Sequence, residues 1–137
     1  MLLSLFVIYL NMNFGEIAER YELHFILLFG SRATGTATDE SDVDVAVYGR
    51  HILTETEKIE LVLELSPFFK TEKIDLVDIK TAPPLLRKKI FDAYKVIYLK
   101  DASLLYQIEL TSLYEYKEQC IIYEMRHERL KEALHDR

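Results

Sequence analysis

The chain has 137 residues, half of them hydrophobic and 29% charged, with a net charge of −6. That size and balance fit one domain with an ordinary core and exclude a disordered or fibrous chain. The acidic balance and the lack of a basic stripe argue against direct binding to nucleic acid, and the single cysteine, Cys120, excludes an internal disulfide and points to a reducing cytoplasm.

The opening run "MLLSLFVIYL" is too short to span a membrane. It lacks the basic flank and small-residue cleavage site of a signal peptide. Two readings stand. Residues 1–11 form an extra apolar strand or helix packed on the domain or a partner, or translation starts at Met12 and they have no role. Residues 14–22 predict a helix with Ile17, Ala18 and Tyr21 on one face. "LHFILLF", residues 23–29, reads as a strand buried on both faces, with His24 a packed or edge histidine rather than a ligand. "GSRATGTATDES", residues 30–41, is a Gly/Ser/Thr loop. "DVDVAVY", residues 42–48, alternates and is β-branched, so it predicts a strand.

In residues 53–69, Thr54 and Glu57 have capping-box spacing, which predicts a helix that ends at Pro67. "EKIDLVDI" predicts a third strand over residues 72–79. "APPLLRKKIFDAYK", residues 82–95, opens with prolines that suit a first helical turn. Its Arg87, Lys88 and Lys89 read as a solvated face. "VIYL", residues 96–99, is a short strand. Residues 102–135 contain neither Gly nor Pro and predict one long helix or two, with Cys120 on its core side. The succession is α+β (mixed α/β), in one domain over residues 1–137 with a core at about 14–101 and a C-terminal helical segment at 102–137.

The chemistry concentrates between Phe29 and Tyr48. On a strand, residues i and i+2 share a face, so Asp42 and Asp44 set two carboxylates side by side while Val43 and Val45 point inward. Like charges so close repel unless a cation lies between them. Mg²⁺ suits that role, since it takes oxygen ligands from carboxylates and substrate phosphates. Gly30 follows a buried strand and lets the backbone approach a ligand. Ser31 adds a hydroxyl, and the amides of the next helical turn favour an anion.

Gly30-Ser31, ten residues, then Asp42-x-Asp44 resembles the signature of the polymerase-β-like nucleotidyltransferase superfamily. The wider stretch "LFGSRATGTATDESDVDVAV" and the later "KIDLVDIKTAPPLLRKKIFDAYKVIYLKD" are similar to the minimal nucleotidyltransferase (MNT) family over roughly residues 14–101. The resemblance implies a third carboxylate on a neighbouring strand. Asp75 fits that position better than Asp78, which alternation turns to the other face. It implies a two-metal Mg²⁺ site at Asp42, Asp44 and Asp75, with ATP as substrate and phosphate contacts at Gly30, Ser31 and Arg32. Thr34 departs from the family, which often has a basic residue there. The implied reaction is in-line attack on the α-phosphate, with loss of pyrophosphate.

Proteins of this kind are typically partners of HEPN toxins. The resemblance therefore implies an antitoxin that transfers AMP to a hydroxyl, a tyrosine, of such a toxin in the cytoplasm. An enzyme modifying a small molecule and a non-catalytic module masking the toxin are the alternatives. "RLKEALH", residues 129–135, matches the Arg…His spacing of the HEPN motif by chance, because one terminal helix cannot supply the helical bundle such a domain needs. Leu105, Ile108, Leu113, Cys120, Ile121 and Met125 make one apolar stripe on the C-terminal helix. Leu110, Tyr114, Tyr116, Ile122 and Tyr123 widen it beyond what a small domain covers. The surplus predicts docking of the toxin or of a second copy, and no membrane contact.

Overall fold

The computed structural model describes residues 14–35 and 42–135. The expectations for residues 1–11 and Met12 lie outside them. Helix α1 covers residues 14–20. It is followed by β1 (Leu23–Phe29), α2 (Ser31–Thr34), β2 (Val43–Gly49), α3 (Glu55–Phe69), β3 (Ile74–Asp78), α4 (Pro84–Asp92), β4 (Tyr94–Leu99) and α5 (Ala102–His135).

The strands form one sheet in the order β3-β2-β1-β4. β1 is central because both of its faces are apolar, and it pairs antiparallel with β2 and β4. β3 joins β2 in parallel through the α3 crossover. Alternation then divides the core. Val43, Val45, Val47 and Ile26 pack under α1 and α3, against Ile17, Ala18, Leu61 and Leu65. Phe25, Leu27, Phe29 and Ala46 pack on the other face, against Ile79, Ile90, Phe91 and Leu105. The mixed α+β class expected from the sequence is the one observed.

Local details differ from expectation, among them the end of α4 at Asp92, which leaves Tyr94 and Lys95 to β4, and three more. Ser31–Thr34 is a single helical turn rather than loop. The amides of Ala33 and Thr34 both donate to the Gly30 carbonyl, and Thr34 Oγ1 donates to the Ser31 carbonyl at 3.2 Å. Four residues are too few to show a helical period, so the loop reading did not delimit it, although a helical turn there was the expected source of anion-binding amides. α3 runs through Pro67 to Phe69 instead of stopping at the proline. Pro67 removes one hydrogen bond, to the carbonyl of Leu63, and Leu63 lies on the solvent side where water can replace it. Its Thr54–Glu57 capping box forms as expected, with Glu57 N donating to Thr54 Oγ1 and Thr54 N to Glu57 Oε1, both at 3.1 Å.

The third difference is in α4. Arg87 is not solvated: Nε donates to the Ile79 carbonyl at 3.0 Å, Nη2 to the Lys80 carbonyl at 3.3 Å, and Nη1 pairs with Glu115 at 3.0 Å. It ties α4 to the end of β3 and to α5. Tyr94 adds a second tie, its hydroxyl donating to Glu109 at 3.0 Å. α5 is one helix of 34 residues, about 51 Å long. Within it only Leu105 and Ser112 are buried, and every residue from Ile121 to His135 is exposed. Cys120, expected on the core side, is only partly covered.

Candidate active site

β1 ends where β2 begins to carry acids: Phe29 is the cross-strand partner of Asp44. Gly30 therefore lies beside the Asp44 side chain. Its φ is +72° and its ψ −152°, a backbone state open essentially to glycine alone. A Cβ added there would collide with the Asp44 carboxylate and stand 3.0 Å from its Cγ. Conformation and space thus both require glycine at this point.

On the other side of β2, parallel pairing sets Asp44 against Asp75 in register. The two carboxylates share one face of the sheet, opposite the buried Val43 and Val45. Asp42, exposed one residue before β2, is close enough to act on Asp44. Burial first, then the charges of Asp75 and Asp42, push the Asp44 carboxyl above its ordinary value of 3.8. Asp78 points the other way. It is 2% exposed and accepts the amides of Leu53 at 2.9 Å and Lys80 at 3.0 Å, so its carboxylate closes a turn. Of the two acids on β3, Asp75 alone joins Asp44.

A cleft of about 560 Å³ opens over these groups. Gly30, Thr34, Asp44 and Asp75 line one side of it, and Leu86, Lys89 and Ala93 line the other. Ser31 and Arg32 are half-buried on α2 beside Gly30. Sequence reasoning missed Lys89, which it placed on a solvated face. The available signal was its spacing, since Leu86, Lys89 and Ala93 are three and four residues apart and make one stripe of α4.

The donor chemistry fits a hard divalent cation. All three acids offer oxygen, and Asp44 holds repulsion that a cation would relieve. Among the described residues no three acids converge on one point as they stand. Asp42 and Asp75 are exposed, so rotation of their side chains displaces no packed neighbour.

Residues 13–103 match the sequence pattern of the family described as polymerase beta, nucleotidyltransferase. The chain belongs to this family. Protein adenylyltransferase MntA of Shewanella oneidensis is 28% identical over 96 residues, 69% of this chain and 68% of that protein. Two solved structures share the nucleotidyltransferase fold seen here. One is a toxin–antitoxin crystallised with AMP-PNP, with a TM-score of 0.69 and 23% identity over 85% of this chain and 98% of that one. The other is the tri-AMPylated HEPN toxin of Shewanella oneidensis in complex with MNT antitoxin, with a TM-score of 0.60 and 22% identity over the same shares. Among the described residues no helix is long and apolar enough to cross a membrane.

Proposed function

We propose that this nucleotidyltransferase moves AMP from ATP to a tyrosine hydroxyl of a partner HEPN toxin, and so acts as its antitoxin in the cytoplasm. The observation that carries the reading is the in-register pair Asp44–Asp75 beside Gly30, at the mouth of a cleft sized for a nucleotide. The description of MntA as a protein adenylyltransferase supports AMP as the transferred group, and the AMPylated toxin bound to an MNT antitoxin supports the acceptor class.

Gly30 and Ser31 receive phosphate oxygens on the amides that open α2, and Arg32 pairs with the triphosphate. Asp42, Asp44 and Asp75 would hold Mg²⁺, which when bound supplies positive charge against the phosphates. An Asp75 carboxylate oxygen takes the proton of the attacking hydroxyl. The oxygen then bonds to the α-phosphorus as the bond to pyrophosphate breaks. Residues 14–101 form the catalytic unit, and α5 brings the acceptor. Its middle and outer parts expose Tyr114, Ile121, Ile122, Tyr123 and Met125, apolar surface that the described residues leave uncovered. A toxin seated there presents its tyrosine to the acids, and a second copy is the competing occupant.

Purified protein, ATP, Mg²⁺ and the HEPN protein from the neighbouring reading frame provide the test, read by intact mass of the toxin. Wild type adds AMP, and Asp44→Asn adds none while still forming the complex. Tyr116→Glu with Tyr123→Glu leaves ATP binding in place and lowers modification. A toxin neutralised without any added mass would replace transfer with masking by contact. AMP added instead to a small molecule would overturn the protein acceptor.

A further inference from the structure

Three basic residues in a row on α4 have three different fates. The Arg87 guanidinium is spent on Ile79, Lys80 and Glu115. Lys88 pairs with both carboxylate oxygens of Asp92, at 3.0 and 2.8 Å, and stands 5.2 Å from the centre of the Tyr116 ring. Lys89 makes no hydrogen bond or ion pair with any described residue. Among the described residues it is the one cation lining the cleft that holds Asp44 and Asp75.

We infer that Lys89 is a substrate-binding residue that takes a non-bridging oxygen of the triphosphate and holds the pyrophosphate as it leaves. The inference rests on the nucleotidyltransferase reading above and assigns the far wall of its cleft. An ATP molecule approaching Asp42, Asp44 and Asp75 meets like charge on the sheet side. Lys89 faces it across the cleft, on an α4 held in place by Arg87 and by the burial of Ile90 and Phe91. An ammonium on a flexible stem suits a polyphosphate, which offers many oxygens and no single required geometry. Thr34, on the opposite wall, has no charge to offer, so among the residues lining the cleft this contribution comes from α4 and adds to that of Arg32.

The test is calorimetric titration of the full chain with ATP and with AMP, each with Mg²⁺, alongside steady-state AMP transfer. Lys89→Gln is expected to weaken ATP about tenfold, the worth of one charge-assisted contact at an exposed site. AMP binding stays unchanged, because AMP lacks the phosphates that Lys89 holds. KM for ATP rises by the same factor with kcat nearly constant. Lys89→Arg restores most of the affinity, and Lys88→Gln, which removes a neighbouring charge outside the cleft, changes nothing. ATP binding unaltered in Lys89→Gln, or equal losses for AMP or in Lys88→Gln, would overturn the role of Lys89 alone. A wild-type chain that binds neither nucleotide would overturn the nucleotidyltransferase reading and this inference together.

Discussion

Gly30→Ala separates the geometry of the site from the stability of the fold. At φ +72° and ψ −152° an alanine backbone is strained by about 1–3 kcal/mol. The new Cβ also meets the Asp44 carboxylate. That group is the end of a rotatable side chain, so the clash is relieved by moving it off its rotamer, at about 0.5–1.5 kcal/mol. For a domain of this size each kcal/mol moves Tm by roughly 3–6 °C, so Tm should fall by about 5–27 °C. Activity should fall further than stability predicts, because the displaced carboxylate leaves its place beside Asp75. A shift on the order of 1 Å at a reacting centre costs about a hundredfold in rate.

Gly35→Ala is the control. Gly35 has φ +79°, and no atom of the described residues lies within 4 Å of an added Cβ. It should lose about 1–2 kcal/mol from the left-handed backbone alone, with transfer nearly intact in the folded fraction. The assays are thermal unfolding by circular dichroism and radiolabelled AMP transfer well below Tm. Equal activity losses in the two variants, or wild-type behaviour of Gly30→Ala, would refute the claim that Gly30 makes room for Asp44.

Asp44→Asn should stabilise the protein at neutral pH. The fold raises the Asp44 pKa above 3.8, so its ionised form costs stability once the pH passes the folded value. The advantage of Asn should therefore vanish in melts run below that ordinary value, and an advantage independent of pH would contradict the assignment. Asp78→Ala strands the Leu53 and Lys80 amides and should cost about 2–4 kcal/mol in urea unfolding. Asp75→Asn should abolish transfer with little change in the same curve, and the reverse pattern would exchange the roles of the two acids. Thr54→Ala breaks the capping box and should cost about 1 kcal/mol with AMP transfer unaffected. A loss beyond 3 kcal/mol there would mean that the cap supports more than one helix end.

Much of the sheet was legible because each strand carries its burial in its pattern. Val43, Val45 and Val47 alternate, and Leu23–Phe29 is apolar on both sides, which marks an interior strand. The side-by-side acids followed from strand alternation, and the choice of Asp75 over Asp78 from the same rule. What the sequence hid depends on distance along the chain. The Arg87–Glu115 tie joins residues 28 positions apart. No local period distinguishes Arg87, Lys88 and Lys89 until α4 is set against β3 and α5. Lys89 read as surface because its cleft is assembled from five elements. The helical turn after Gly30 was expected as a source of amides but not delimited as an element, because hydrogen bonds to one carbonyl, rather than an apolar stripe, define it.

The position of β3 has a consequence for handling the protein. Among the described residues it is an edge strand of five residues, with no further strand on its outer side. Ile59 and Leu63 of α3 are exposed nearby, and Ile59, Leu63 and Leu76 line a common apolar groove. Such an edge invites a strand from another molecule, and a charge set within it is a recognised guard against self-association. Asp75 is the exposed acid on that strand. Its carboxylate is placed to act as such a guard as well as to line the cleft. Asn at this position keeps the shape but removes the guard, and Ala or Val would add to the sticky edge. Light scattering on every Asp75 variant is accordingly needed before lost activity is read as lost chemistry, since an aggregated enzyme and a disarmed one give the same blank assay.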